Sequence, residues 1–391
     1  MRGSRSLEWL VSAVMGNLQA GTLTIVLDGR ERRYVGASAG PEARIELLDP
    51  RGVLRMLTGG SVGFAEGYMD GMWTTPDLDA LLDLGVANAA AWKSLDLFGP
   101  LRPLRRLFHA RRDNDVAGAR RNIGYHYDLG NEFYGLWLDD TMTYSCALFE
   151  GDDASGLQAA QRRKWDAVLE LIQPGPRDRL LEIGCGWGGF ATYAAEQAGC
   201  RVTGLTLSEE QAAWARDRVL ERGLEDKVEV VLRDYRHEHD AYQGIVSIEM
   251  FEAVGERWWP VFFGRLKELL EPGRRAALQV ITIADDKFEE YRRSPDFAQR
   301  YIFPGGMLPS PLRFSQAAQA AGLAVGKPRF FGHDYARTLS EWAQRFEAAL
   351  PDVRRLGFDE RFIRMWRYYL AYCRAGFMSG DIDVMQVGLD A

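Results

Sequence analysis

The stretch RLLEIGCGWGGFA at residues 179–191 decides the fold, because it joins a short apolar strand to a glycine-rich turn and a helix start. Glycine lets the backbone turn tightly and approach a ligand where a side chain would clash. Gly184, Gly186 and Gly188 lie in this turn. The pattern does not by itself identify the ligand, because dinucleotide-dependent enzymes share it.

Two further features favour S-adenosylmethionine (SAM) over a dinucleotide. Glu182 precedes the first glycine by two residues, where its carboxylate can order the glycine turn or meet a ligand's ammonium group. A dinucleotide fold needs an acidic residue for the ribose at the end of the next strand. That strand ends instead in Gly-Leu-Thr-Leu-Ser at 204–208. The sequence therefore predicts a methyltransferase in preference to a redox enzyme.

From about residue 160 the pattern alternates between helices and strands. Helices are predicted over 161–172, 190–198 and 209–223, and strands over 179–183, 201–205, 228–231, 244–248, 276–282 and 324–331. This alternation is typical of an α/β protein with a doubly wound, Rossmann-like sheet, the class I methyltransferase fold.

Residues 1–115 have a mixed pattern and predict a smaller N-terminal α+β domain, with the catalytic domain over 116–391. The predicted elements are an amphipathic helix over 7–18, a strand over 22–27 that runs into an Asp28-Gly29 hairpin turn, a strand over 43–48, a helix through Leu57, a turn-rich glycine stretch over 59–71, and a helix over 77–84.

Composition limits the partners and the compartment. The net charge of −7 argues against nucleic acid, and the four cysteines form no CxxC pair, which favours a reducing, cytoplasmic environment. No apolar run approaches the ~18 residues of a membrane span.

The segment 101–121 carries seven arginines against two aspartates. It fits a solvated linker or a peripheral contact with an anionic membrane surface; a nucleic-acid patch is the weaker reading, because no binding motif accompanies it.

Four stretches of the chain resemble the cyclopropane fatty acid synthases, including the mycolic acid cyclopropane synthases. They are YHYDLGNEFYGLWLDDTMTYSCALF at 125–149, LLEIGCGWGGFA with VTGLTLSEEQ at 180–191 and 202–211, SIEMFEAVG at 247–255, and YIFPGGMLPS with DYARTL at 301–310 and 334–339. The resemblance covers about residues 120–391. More weakly, GGSVGFAEGYMDGMW at 59–73 resembles the N-terminal lipid-binding domain of the bacterial phospholipid enzymes.

The resemblance implies SAM as cofactor, unsaturated acyl chains as substrate, a possible homodimer and a role for each matching residue. Those implied for the SAM pocket are Tyr127, Tyr144, Ser145, Gly184, Gly186, Gly188, Thr206, Gln211, Asp234 and Tyr235. Those that align with the family's bicarbonate site are Cys146, Glu252, Ile281 and Tyr335.

This chain departs from the family pattern at two positions of the bicarbonate site. The family's LHxI strand reads Leu278-Gln279-Val280-Ile281, and the glycine of SIGxFEH is Glu249. A carboxylate would repel bicarbonate. We therefore expect the Glu249 side chain to replace bicarbonate as general base, held by a hydrogen bond from Gln279.

Methyl transfer to an alkene leaves a carbocation, which requires a dry pocket, aromatic rings and a base. The candidate aromatic residues are Tyr127, Phe133, Tyr144, Phe251, Trp258, Trp259 and Tyr335. Loss of a proton from the new methyl group closes a cyclopropane, and loss from the chain gives a methyl-branched alkene; the sequence leaves both open.

Two alternative functions are a small-molecule O- or N-methyltransferase and a non-catalytic lipid-binding protein. His237-Glu238-His239 lacks a third spaced ligand, so no metal is expected.

Overall fold

The computed structural model describes residues 17–93, 129–152, 154 and 156–391. Most of the predicted helix over 7–18, the basic segment 101–121, the domain boundary at 115 and Tyr127 lie outside these residues. Those predictions therefore keep their status as predictions.

A mixed sheet of eight strands forms the centre of the chain. Its strands are β5 (Arg179–Ile183), β6 (Arg201–Thr206), β7 (Val228–Leu232), β8 (Tyr242–Ile248), β9 (Leu270–Ile283), β10 (Ala324–Val325), β11 (Arg329–Phe330) and β12 (Ile382–Asp390). The order is β10-β12-β9-β8-β5-β6-β7, with β11 also paired to β12. The strands from β9 to β7 are parallel, and β12 runs antiparallel to β9. This confirms the doubly wound α/β class.

Helices cover both faces of this sheet because its strands are apolar on both sides. Leu180 packs in one apolar cluster and its neighbour Leu181 in the other. On the first face lie α5 (Leu157–Ile172), α6 (Gly189–Gln197) and α7 (Glu209–Glu221), and on the second lie α8 (Trp259–Leu269) and α11 (Pro311–Ala320).

The N-terminal part folds as a four-stranded sheet in the order β2-β1-β3-β4. Its elements are β1 (Ala20–Leu27), β2 (Arg30–Val35), β3 (Ser38–Leu47), α1 (Arg51–Met69), β4 (Trp73–Thr74), α2 (Leu78–Ala87) and α3 (Ala89–Lys93). The predicted hairpin is confirmed, since Asp28 and Gly29 both have positive φ, at 50° and 72°.

The prediction that residues 59–71 are turn-rich was wrong, because α1 continues to Met69. Gly60 kinks the helix with φ 57° and ψ −143°. A Cβ at Gly63 would lie only 2.1 Å from the backbone oxygen of Arg55. The glycines therefore allow close packing within a bent helix.

Six further α-helices belong to the described part of the chain. They are α4 (Asn131–Gly135), α9 (Phe288–Tyr291), α10 (Phe297–Tyr301), α12 (Gly332–Ala348), α13 (Leu350–Arg355) and α14 (Glu360–Met378). The strand predicted over 324–331 is divided into β10 and β11, consistent with Pro328, which has no N–H to donate. Among the described residues, no helix combines the length and apolar character that spanning a membrane requires.

Candidate active site

A cleft opens at the carboxyl ends of β5, β6, β7 and β8, where ligands bind in open α/β sheets. Most of the residues predicted for the SAM pocket line it: Tyr144, Ser145, Glu182, Gly184, Gly186, Thr206, Gln211, Asp234 and Tyr235. Glu249 lines the same cleft. Gly188 lies behind this surface, where a Cβ would be 3.1 Å from Cβ of Ala215.

The glycine turn between β5 and α6 has the predicted strained backbone. Gly184, Gly186 and Gly188 have φ of 85°, 52° and 77°, a region that favours glycine. The N–H groups of Gly184 and Cys185 both donate to the carbonyl of Leu205 on the neighbouring strand, at 2.9 Å. A Cβ on Gly186 would meet no protein atom within 4 Å, so the turn leaves open space in front of it.

Glu182 shows how this cleft fits a cationic ligand group. The backbone N–H of Ala191 bonds its carboxyl group, while its Oε2 atom is buried with no partner among the described residues. Burial raises the pKa of Glu182 to about 8. A buried carboxyl oxygen without a partner is costly, and an ammonium group beside it would satisfy it and favour its charged form. SAM carries such a group, so the residues present fit SAM.

The other end of the cleft is held by pairs of polar side chains. The Thr206 hydroxyl donates to Oε1 of Gln211 at 2.9 Å. The Asp234 carboxylate accepts from the guanidinium of Arg236 at 2.6 and 2.8 Å, so this carboxylate already has a partner. Tyr235 packs edge-on against Phe262 and is buried. The roles predicted here, at the ribose and the adenine, remain predictions.

The Glu249 carboxylate accepts three hydrogen bonds from three separate parts of the chain. Oε1 accepts from the backbone N–H of Cys146 at 2.9 Å and from Nε2 of Gln279 at 2.7 Å. Oε2 accepts from the hydroxyl of Tyr335 at 2.6 Å. The structure thus places Glu249 among residues that the sequence aligned with the bicarbonate site, and its side chain does not face the surface.

Burial dominates the acidity of this carboxyl group. It raises the pKa of Glu249, and the hydrogen bond from Tyr335 and the positive charge of Lys164 oppose that rise. Burial and the charge of Glu249 raise the pKa of Tyr335 well above its ordinary value, so this hydroxyl keeps its proton and acts as a donor. The arrangement is a half-buried carboxylate on the wall of the cleft, held as an acceptor by fixed donors.

Glu252 and Ile281 form a second contact beside Glu249. One Glu252 oxygen accepts from the backbone N–H of Ile281, and the other is buried without a partner in the part of the chain that the structure describes. Burial, followed by the negative charge of Glu249, raises the pKa of Glu252 to about 8. With that pKa, Glu252 keeps its proton at pH 7.

Cys146 contributes its backbone to the site. The segment that carries it is held by α12, because the N–H of Ala147 donates to Thr338 at 3.1 Å and that of Phe149 donates to Asp334 at 2.7 Å. Burial raises the pKa of the Cys146 thiol well above its ordinary value. A neutral buried thiol is a poor nucleophile, so the contribution of Cys146 to the site is its backbone N–H.

Two residues that the sequence reasoning missed also contact this network. Lys164 is fully buried on α5, and its ammonium group donates to the Ser145 hydroxyl at 2.7 Å. Burial lowers the pKa of Lys164 to about 8, and the charge of Glu249 opposes this. The position of Lys164 on the apolar face of a helix is the signal in the sequence that could have identified it. Gln386 bonds Gln279, and its strand was not predicted at all.

The predicted aromatic residues divide into a wall and a core. The Tyr144 hydroxyl bonds that of Tyr369 at 2.7 Å, and Phe303 stacks on the Tyr144 ring. Tyr335 stacks on Phe377. By contrast, Phe251 and Trp259 stack on each other in the apolar cluster on the second face of the sheet. Phe133 is likewise buried, packed against Trp366.

The described residues contain no group of three or more His, Cys, Asp or Glu side chains placed to hold a metal ion. Glu238, the acid of the His-Glu-His triplet, instead accepts from Arg233 at 2.6 Å and from the backbone N–H of His239.

Solved structures of methyltransferases share this architecture. A crystal structure of a mycolic acid cyclopropane synthase complexed with SAH and CTAB matches with a TM-score of 0.65 and 34% identity, covering 70% of this chain and 98% of that chain. Coclaurine N-methyltransferase bound to SAH matches with a TM-score of 0.64 at 20% identity, covering 84% of this chain and 99% of the other, which shows the fold alone.

Curated relatives extend further along the chain. The tuberculostearic acid methyltransferase of Mycobacterium tuberculosis is 40% identical over 336 residues, 84% of this chain and 78% of that protein. The cyclopropane-fatty-acyl-phospholipid synthase of Escherichia coli is 35% identical over 362 residues, 91% of this chain and 90% of that protein.

The sheet, the glycine turn and these likenesses define a class I SAM-dependent methyltransferase. Residues 115–387 match the mycolic acid cyclopropane synthetase family, and the chain belongs to that family.

Proposed function

We propose that this methyltransferase adds a methyl group to a double bond of an unsaturated acyl chain in a membrane phospholipid, with Glu249 as general base. The product is a methyl-branched unsaturated acyl chain. Ring closure to a cyclopropane is the second candidate, because the Escherichia coli relative at 35% identity is named for that product.

The observation that carries this proposal is the fixed orientation of the Glu249 carboxylate. A carboxylate offers about four lone-pair directions. Two on Oε1 and one on Oε2 accept hydrogen bonds from Cys146, Gln279 and Tyr335. One direction on Oε2 is left for a substrate proton, and a base fixed in this way removes one particular proton.

In the mechanism, SAM supplies an electrophilic methyl group from its sulfonium. The new carbon–carbon bond uses the electron pair of the alkene and leaves a cation on the adjacent carbon. The aromatic ring of Tyr144, which lines the cleft, stabilises positive charge and helps to exclude water. Oε2 of Glu249 takes a proton from a neighbouring carbon, and the electron pair of that C–H bond forms the new alkene.

The relatives support an acyl chain within a phospholipid. The Escherichia coli protein, named for fatty-acyl phospholipids, aligns with 91% of this chain, and therefore with much of the N-terminal part. Cyclopropane mycolic acid synthase 1 of Mycobacterium tuberculosis aligns with only 68% of this chain although 95% of its own length is matched. Much of the N-terminal part therefore has a counterpart in the relative named for phospholipids. The branched product is supported by the 40% identical relative, which is named tuberculostearic acid methyltransferase and not cyclopropane synthase.

The test uses the purified protein, methyl-labelled SAM and vesicles of unsaturated phospholipid, with branching of the released acyl chains resolved by mass spectrometry. We expect a labelled methyl-branched alkene. A labelled cyclopropane would keep the acyl double bond as substrate and overturn the branched product. No labelled acyl chain would overturn the substrate class.

The base is tested by Glu249→Gln, with Glu225→Gln as the matched control, since Glu225 is exposed. Glu249→Gln keeps the size of the side chain and removes the base. We expect turnover to fall at least about 10³-fold, within the range for general bases, while SAM affinity is retained. Normal turnover in this variant would show that Glu249 is not the base.

A further inference from the structure

Gln386 lies on β12 directly opposite Gln279 on β9, and both side chains are buried on the same face of the sheet. Nε2 of Gln386 donates to Oε1 of Gln279 at 2.9 Å and to the backbone carbonyl of Lys164 at 3.3 Å. Both N–H groups of this amide therefore have acceptors, one in α5 and one in β9.

These contacts determine which way the Gln279 amide points. Because its Oε1 atom accepts from Gln386, its Nε2 atom is directed at Glu249, at 2.7 Å, and at the carbonyl of Cys146, at 3.4 Å. Rotating the Gln279 amide by half a turn would place its oxygen against the carboxylate and its NH2 group against the NH2 group of Gln386. Both contacts of the rotated amide would be repulsive.

We propose that Gln386 is a positioning residue for the reaction: by fixing the Gln279 amide from behind, it keeps a donor on Oε1 of Glu249 and leaves Oε2 as the proton acceptor. This inference rests on the proposed role of Glu249 as base. Gln386 is not among the residues that line the cleft, and Gln279 is its side-chain link to the Glu249 carboxylate.

The proposal has a consequence for the pH dependence of turnover. The groups that face the Glu249 carboxylate are Tyr335 on α12, Lys164 on α5, Tyr369 on α14, and Cys146 and Glu252 beside it. Gln279 stabilises the charged form of Glu249 by donating to it. If that donor is displaced, the pKa of Glu249 rises further, and the acid limb of the pH–kcat profile moves to higher pH.

The experiment compares the pH–kcat profiles of wild type, Gln386→Met and Gln386→Asn. Methionine keeps the volume of the side chain and removes both donors; asparagine keeps the amide and shortens its reach by one methylene group. We expect kcat to fall about tenfold, the size of one lost orienting hydrogen bond, with the acid limb displaced upward and KM for SAM unchanged.

Two comparisons separate positioning from simple destabilisation. Val387→Ala removes a buried side chain on the opposite face of the same strand, and it lowers Tm without moving the acid limb. In the double variant Gln279→Met/Gln386→Met, the second change causes no further fall in kcat, because its effect passes through Gln279.

The outcomes also distinguish this inference from the proposed function. If Glu249→Gln is inactive while Gln386→Met keeps the wild-type profile, Gln386 has no positioning role and Glu249 remains the base. If Glu249→Gln is active, both assignments fail. An inactive Glu249→Gln with a shifted profile in Gln386→Met and Gln386→Asn supports both.

Discussion

Glu249 holds a backbone conformation that glycine normally adopts, with φ of 50°. This left-handed conformation costs a residue with a Cβ about 1 kcal/mol. Three hydrogen bonds to its carboxylate offset that strain. The motif that this chain resembles has glycine at the same place, so the backbone suits either residue.

This geometry predicts chemical rescue of Glu249→Gly. The variant relieves the strained φ and opens a space bordered by the N–H of Cys146, Nε2 of Gln279 and the hydroxyl of Tyr335. We expect its activity to be lost in bicarbonate-free buffer and to return in part when bicarbonate or formate is added. Turnover is measured against anion concentration, with Glu249→Gln as the control that retains a side chain and gains nothing from the anion.

Glu252 provides a prediction about stability. Its pKa is raised from 4.5 to about 8 in the folded protein, so the unfolded chain ionises first as pH rises. Stability is then lost progressively between the unfolded and the folded pKa. Glu252→Gln removes this titration. We expect its free energy of unfolding relative to wild type to increase by roughly 2 kcal/mol from pH 6 to pH 8, measured by chemical denaturation without SAM. An equal difference at both pH values would show that Glu252 is ionised in the fold.

The sequence identified Glu249 and Gln279 because they interrupt recognisable motifs, and the structure brings the two side chains together at 2.7 Å. Lys164 and Gln386 were not identified. Their contacts arise from helix α5 packing over β9 and β12, far apart in sequence, and no local pattern of residues encodes such a contact.

At the scale of elements, the glycine turn permits a paired prediction. A Cβ at Gly184 would lie 2.7 Å from Cγ of Met250, whereas a Cβ at Gly186 would enter open space. Gly186→Ala should lose about 1 kcal/mol of stability through its positive φ and at least about tenfold in SAM affinity, because the methyl group occupies ligand space. Gly184→Ala should lose the same stability through its positive φ, and roughly 1–3 kcal/mol more because its methyl group is overpacked against Met250. Thermal unfolding and titration calorimetry measure the two effects; equal SAM affinity in Gly186→Ala and wild type would place the ligand elsewhere.

The predicted elements from 161 to 282 agree with the structure to within a few residues, apart from β9, which begins at Leu270. Strands with both faces buried read as apolar runs, and helix caps such as Ser208 mark the boundaries. The failures lie where tertiary packing overrides local preference. Glycine-rich α1 is a helix because its kink at Gly60 and its small residues allow close contacts. The carboxyl-terminal strand β12 follows a helix and pairs with β9, which is distant in sequence, as well as with the short strands β10 and β11.

At the scale of the whole molecule, the N-terminal sheet and the carboxyl-terminal helix α14 share one apolar cluster. Trp73 is fully buried and stacks on Phe64, and Tyr68 packs against Tyr368 of α14. Arg364, also on α14, donates to the carbonyl of Trp73 at 2.6 Å. The hydroxyl of Tyr301, on α10, donates to Glu66 of α1 at 2.6 Å. The part of the chain that carries the candidate active site and the N-terminal part are thus joined by contacts that are buried or partly buried.

Shared burial predicts that the two parts unfold together, because the cluster around Trp73 loses its packing when either part opens. Trp73→Ala should lower the free energy of unfolding by about 3–5 kcal/mol, as large-to-small changes at fully buried aromatic residues do, and should lower the midpoint of the whole transition. Calorimetry with and without SAM provides the measurement, since SAM bound in the cleft would stabilise whatever unfolds together with the cleft. A single transition that SAM raises in wild type, and that Trp73→Ala lowers, is expected. If Trp73→Ala shifts only a transition that does not respond to SAM, the N-terminal sheet is an independent folding unit and the division near residue 115 describes two separately stable domains.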